Sequence, residues 1–115
     1  MRMWNVNPSI MCRQHLLGEH LEMHMFAGCI SKGKSIRGYI ENGLVDTGLI
    51  IKRHDKLARE IARRGFRHDS PIQKGSYDMG GFVDKELSRK ELMERCKECR
   101  ERIRGRHEQD KDRMV

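Results

Sequence analysis

Arg13-Gln14-His15-Leu16-Leu17-Gly18-Glu19-His20-Leu21-Glu22 is the stretch on which the reading of this chain turns. It sits inside a predicted helix from about Pro8 to Phe26. Asn7-Pro8 supplies an N-cap followed by proline at the first helical position. Ile10, Leu17, Leu21 and Met25 recur at helical spacing and are expected to form the buried face. Gly28 is the expected stop. His15, Gly18 and Glu22 fall at i, i+3 and i+7 and share one stripe, bordered by Gln14 and Glu19. Glycine inside a helix costs about 0.5–1 kcal/mol relative to alanine. Here it opens space between a histidine and a carboxylate, where a partner can approach the backbone closely. The plainer reading of the same stripe is a solvated face with a tolerated glycine.

Outward from this helix the chain alternates helical segments with irregular ones. Ser31-Lys32-Gly33-Lys34-Ser35-Ile36-Arg37-Gly38 is a basic loop broken by glycines, and Gly43 and Gly48 extend it. A second helix is predicted from about Leu49 to Arg64, with Ile50, Leu57 and Ile61 inward. Arg63 and Arg64 suit its negative end, and Gly65 is the natural residue just beyond it. Pro71, Gly75, Gly80 and Gly81 break every period between residues 67 and 86. Ser88-Arg89-Lys90-Glu91 then reads as a capping box, with Leu87 and Leu92 as its hydrophobic staple. The helix it opens carries Leu92, Met93, Cys96 and Ile103 and is expected to end near Gly105. The fold class is all-α: a compact single domain of three main helices with long irregular connections. Residues 1–105 form the domain and residues 106–115 a charged, flexible tail.

The 115 residues allow one modest core. Lys and Arg number 24 against 17 Asp and Glu, a formal charge of +7. That balance favours a polyanionic partner, nucleic acid first. No apolar run approaches the roughly 18 residues of a membrane span, and the start, Met1-Arg2-Met3-Trp4-Asn5, lacks the apolar core of a signal peptide. A cytoplasmic protein is expected. Its cysteines, Cys12, Cys29, Cys96 and Cys99, are then thiols or metal ligands rather than disulfides.

Three motifs in order carry a resemblance. Residues 13–22 resemble the first helix of the phage pyrimidine-dimer DNA glycosylases of the endonuclease V type, in which Gln-His-Leu precedes a catalytic glutamate at this distance. Lys32-Gly33-Lys34-Ser35-Ile36-Arg37 is similar to that family's Gly-Lys-x-x-Arg loop. Ile61-Ala62-Arg63-Arg64-Gly65-Phe66 is similar to its Arg-Gly-aromatic helix end. The resemblance covers the first two-thirds of the chain.

The resemblance implies a DNA-repair glycosylase with AP-lyase activity on double-stranded DNA. An N-terminal amine would attack C1′ of a damaged nucleotide, form an imine and nick the strand by β-elimination. Aligned without a gap on Gln14-His15, Met1 stands where the family has its processed N-terminal residue. Methionine removal needs a small second residue and Arg2 is large, so Met1 is expected to be retained and to provide the amine. Met1 and Glu22 are thus the expected catalytic pair. Free α-amines titrate near 7.7–8.0 and are partly neutral at cellular pH, as a nucleophile must be.

Arg2, Arg13, Gln14, His15, Gly18, Lys32, Lys34 and Arg37 are the expected DNA-binding residues, with Arg64 a further phosphate contact. A monomer is expected, with no membrane partner and no cofactor required for the chemistry. The chain departs from the family pattern in two ways. Leu21 and Met25 stand where the family has arginines, and the aromatic-rich C-terminal segment is replaced by a helix with Cys96 and Cys99.

Two metal readings accompany this. His20 and His24 lie four apart, but the context is not His-Glu-x-x-His. Cys96-x-x-Cys99 is a weak zinc signal that Cys12, Cys29 or a histidine could complete into a structural site. The alternative function is therefore a non-catalytic, zinc-stapled nucleic-acid-binding module.

Overall fold

The computed structural model describes residues 1–67 and 70–113, with side chains described up to residue 105. Five α-helices are found among the described residues, and no strand. They are α1 (Arg13–Ser31), α2 (Arg37–Glu41), α3 (Ile50–Arg63), α4 (Lys85–Arg95) and α5 (Lys97–Arg113). The expected all-α fold is present, with more pieces than the three main helices of the sequence pattern.

The first helix begins later than Asn7-Pro8 implies. Asn7 does cap, accepting a hydrogen bond from the Ser9 N–H, but it opens only a 3-10 turn at Pro8–Ile10. Met11 is extended and Cys12 restarts the chain as N-cap of α1, its sulfur accepting the His15 N–H. At the other end Gly28 does not stop the helix. It runs to Ser31, where Gly33 with φ 70° closes it by N–H bonds from Gly33 to Ile30 O and from Lys34 to Cys29 O, the pattern of a left-handed helix stop. Helix α3 ends in the same way at Gly65, as expected, and Ile50, Leu57 and Ile61 are buried on it.

The buried face of α1 is not the expected one. Leu16, Glu19, Met23, Phe26 and Ala27 point inward. Leu21 and Met25, expected in the core, are 59 % and 46 % exposed. Apolar residues occur all round this helix, so their spacing does not fix its rotation. An ion pair does. Glu19 and Arg53 of α3, at 1 % and 2 % exposure, meet through two hydrogen bonds of 2.5 and 2.8 Å. Arg53 also donates to the Val6 carbonyl at 2.6 Å. A buried guanidinium is tolerated only with this degree of satisfaction. The pair locks α1 to α3 and ties the N-terminal segment to both.

The predicted third helix is two helices. Asp84, not Ser88, is the N-cap of α4, accepting the Leu87 N–H at 3.0 Å. Ser88 is buried on the helix, and Leu87 is exposed rather than acting as a staple. The helix ends at Arg95 because Cys96 is extended, with φ −123° and ψ 111°. Helix α5 then continues through Gly105 to Arg113. Leu92, Cys99 and Ile103 join the same core as Met3, Met11, Leu16 and Phe26. The C-terminal helices are therefore built into the one hydrophobic cluster.

Candidate active site and metal-ligand cluster

The N-terminal segment runs along α1 with its first residues fixed in place. Met3 is fully buried, and its N–H donates to Leu44 O at 2.7 Å. This anchorage brings Met1 to the edge of a cleft of about 620 Å³ lined by Met1, Arg2, Trp4, His15, Gly18 and Glu22, with Leu44, Glu91 and Arg95 completing it. The stripe read from the sequence, His15-Gly18-Glu22, thus forms one wall. The Arg2 backbone N–H donates to Glu22 Oε2 at 3.2 Å. A Cβ placed on Gly18 would meet no atom within 4 Å, so the glycine leaves open room beside the carboxylate.

The opposite wall comes from α4, which the sequence pattern did not connect to this site. Glu91 binds Arg2 Nη1 at 2.6 Å and lies 3.6 Å from Arg95 Nη2. Ser88 Oγ lies 3.5 Å from Arg2 Nη2. Ser88 and Glu91, read as a capping box, here hold Arg2. Its guanidinium also stacks over Trp4, 3.7 Å from the ring centroid, an arrangement favourable for a cation on an aromatic face. Trp4 in turn meets His15 edge-on at 5.6 Å. The Arg2 guanidinium is thereby held between Trp4 and α4.

The other expected DNA-binding residues lie at the two ends of α1 and in α2. Arg13 and Gln14 are exposed at the start of α1, with Arg13 4.9 Å from the Phe66 ring. Lys32 and Lys34 are exposed beyond its end. They line a second, smaller pocket of about 310 Å³ together with His24, Met25, Gly28 and Cys29. Ten residues of helix separate Glu22 from Lys32, about 15 Å along the axis. Arg37 is exposed and pairs with Glu41 at 2.5 Å. Arg64 is different. It is bound to Glu60 at 2.7 Å and to the carbonyls of Pro8 and Met11 at 3.1 and 2.7 Å. Its donors hold the chain rather than face a phosphate. Hydrogen bonds from Arg63 hold the Glu60 carboxyl down at about 2, against the opposing effect of burial and with further help from Arg64.

Two groups of side chains could hold a metal ion. Cys12, His15, Cys96 and Cys99 bring four ligand atoms within 4.8 Å of one another. His20, His24 and His54 bring three within the same span. In the second group both ring nitrogens of His54 already have protein partners, the Asp55 carboxylate at 2.9 Å and the Ser70 carbonyl at 3.1 Å. Cys29 is free and takes no part in either group. In the first group burial pushes the Cys99 thiol up to about 12, with the neighbouring Cys12 and Cys96 thiols adding to it. Burial also acts upward on Cys96, but hydrogen bonds from Cys99 and Cys12 outweigh it and leave that thiol below its ordinary value.

The helical chain thus has a formal charge of +7 and a cleft lined by Glu22 and Met1. A sequence model of the pyrimidine dimer DNA glycosylase family matches residues 1–74, more than half of the 115. The chain belongs to that family. No curated protein and no solved structure matches it. The family match ends before α4, so Ser88, Glu91, Arg95 and the two C-terminal cysteines lie in a part of the chain it does not cover. Among the described residues no helix is long and apolar enough to cross a membrane.

Proposed function

We propose that this chain is a monomeric DNA glycosylase with coupled AP-lyase activity, using the amine of Met1 as nucleophile and Glu22 as the catalytic acid. The observation that supports it most is the 3.2 Å hydrogen bond from the Arg2 N–H to Glu22. The Met1 nitrogen is three covalent bonds from that amide, hence within about 4 Å of it. Amine and carboxylate thus border the same open cleft.

The chemistry balances with these two groups and water, which protonates the departing base and later hydrolyses the imine. The neutral amine attacks C1′ of the damaged nucleotide. The glycosidic bond breaks, and the base departs with its bonding electron pair and takes up a proton. Glu22 takes the proton shed by the attacking nitrogen and, as the C1′–O4′ bond opens to the protonated imine, delivers it to O4′. Glu22 stabilises the positive charge developing on the sugar. The Glu22 carboxylate then accepts the C2′ proton, the C3′–O3′ bond breaks, and the strand is nicked with the phosphate as leaving group. Water finally hydrolyses the imine and frees the amine. Reaching C1′ in a duplex requires an extruded nucleotide, which a lesion that already weakens pairing makes less costly. Lys32, Lys34, Arg37 and Arg13 supply salt-sensitive backbone contacts.

Glu22→Gln tests the assignment. Strand cleavage of lesion-containing duplex should fall at least a thousandfold, while binding of the same duplex stays within a few-fold of wild type. Retained cleavage would refute the role of Glu22. The lesion itself is open to a panel of ultraviolet-irradiated, abasic and modified-base duplexes. Leu21 and Met25 present exposed apolar surface where the family has arginines, which favours a lesion bound with fewer phosphate contacts on that flank.

A further inference from the structure

We infer that Cys12, His15, Cys96 and Cys99 form a zinc site that staples the α4–α5 junction to the start of α1 and so holds the second wall of the cleft in place. Two of the distances among these groups match a tetrahedral ligand set, a third is shorter, and all four atoms lie within 4.8 Å of one another. Zinc bound at 2.3 Å to sulfur and 2.0–2.1 Å to nitrogen sets S···S near about 3.8 Å and S···N near about 3.6 Å. Cys12 and Cys96 sulfurs are 3.8 Å apart. His15 Nδ1 lies 3.2 Å from the Cys12 sulfur and 3.6 Å from that of Cys99. All four atoms converge although they come from two segments more than 80 residues apart.

Backbone N–H groups point at three of these sulfurs. The Cys12 N–H approaches the Cys99 sulfur at 3.2 Å, the His15 N–H the Cys12 sulfur at 3.5 Å, and the Cys99 N–H the Cys96 sulfur at 3.5 Å. Backbone N–H groups aimed at sulfur stabilise the charged form and orient it, as partners of metal-bound thiolates do. Three sulfurs this close repel one another as anions unless a cation lies between them. Thiolate and imidazole ligands in a closed set of four select zinc and describe a structural rather than a catalytic centre.

The site also accounts for the break between α4 and α5. Cys96 leaves the helical conformation at the point where its sulfur reaches Cys12. Immediately before it, α4 carries Ser88, Glu91 and Arg95, which face Arg2 and the cleft. On the other side His15 is both a ligand and a cleft residue. Metal binding therefore fixes both walls relative to each other. A core this small gains from such a clamp.

The site is independent of the amine chemistry and is tested without DNA. Full-length protein, reduced and exposed to zinc, is freed of excess metal and analysed for metal content. One zinc per chain is expected. Cobalt substituted for it should give the intense sulfur-to-metal absorption and ligand-field bands of a tetrahedral three-sulfur, one-nitrogen site. Cys96→Ser should bind zinc at least a hundredfold more weakly, and Cys29→Ser should match wild type. His15→Cys keeps four ligands, so it should still bind cobalt, with its bands shifted toward those of a four-sulfur site. Chelation should change the fluorescence of Trp4, the single tryptophan, which touches both Arg2 and His15. Folded wild-type protein that binds no zinc would overturn the inference. So would zinc lost from His24→Asn but kept by Cys96→Ser, or a cobalt spectrum unchanged in His15→Cys.

Discussion

Replacing Glu19 with glutamine removes one charge from the buried pair that fixes the rotation of α1. Both partners are almost completely out of water, and Arg53 would keep its charge with only neutral acceptors around it. Removing one member of such a pair costs roughly 3–5 kcal/mol, because the survivor is left uncompensated. A chain of this length has a total stability on the order of 6–17 kcal/mol, so the variant should still fold. With a urea m-value of about 2 kcal/mol/M, the unfolding midpoint followed by circular dichroism should fall by roughly 2 M. The double variant Glu19→Gln with Arg53→Met removes the stranded charge and should recover more than half of the loss. Arg53 also holds the Val6 carbonyl, so the single variant should loosen the segment that carries Met1 and slow cleavage as well. A midpoint shift below about 0.5 M, or a double variant no more stable than the single one, would show that the pair does not determine how α1 sits.

Gly18→Ala separates stability from activity. Nothing obstructs a methyl group there, so thermal stability should hold or rise by about 0.5–1 kcal/mol, while cleavage falls as the cleft beside Glu22 narrows. The Glu60 carboxyl, held at about 2 against an ordinary 4.5, adds stability that is fully present above pH 4.5. That stability is lost as the pH drops towards 2. Arg63 is largely exposed and its contribution is screened, so the effect is on the order of 2 kcal/mol, and Glu60→Gln should flatten acid unfolding over this window. Lys32→Ala and Lys34→Ala should each weaken duplex binding and lower the slope of log K against log salt by about 1. Unchanged slopes would place the DNA elsewhere.

Several elements were readable from the chain alone, for identifiable reasons. Helix α3 has one apolar stripe, basic residues at its end and glycine at the stop, so its limits and buried face agree with the pattern. The stripe of His15, Gly18 and Glu22 lies within one helix, where spacing determines which residues share a face. The rotation of α1 was not readable, because apolar side chains surround it and the deciding contact is with Arg53, 34 positions away. The start of α4 was misplaced because Asp84 and Ser88, four apart, are both good caps, and burial of Ser88 beneath Arg2 settles the choice. The kink at Cys96 has no glycine or proline to announce it. The far wall of the cleft depends on contacts between residue 2 and residue 91, which no local pattern encodes. The cysteine and histidine ligand set was legible only in part: Cys96-x-x-Cys99 could be seen, but which of Cys12, Cys29 and the histidines completes it depends on the fold.

The most direct test of the account is reductive trapping. Full-length protein whose Met1 amine is verified as free by mass spectrometry is incubated with ultraviolet-irradiated or abasic duplex and borohydride, and the adduct is mapped by peptide sequencing. The account predicts one covalent adduct, on the Met1 nitrogen, lost when that amine is acetylated or the chain is extended before it. An adduct on a lysine, or trapping and nicking undiminished by a blocked amine, would contradict it.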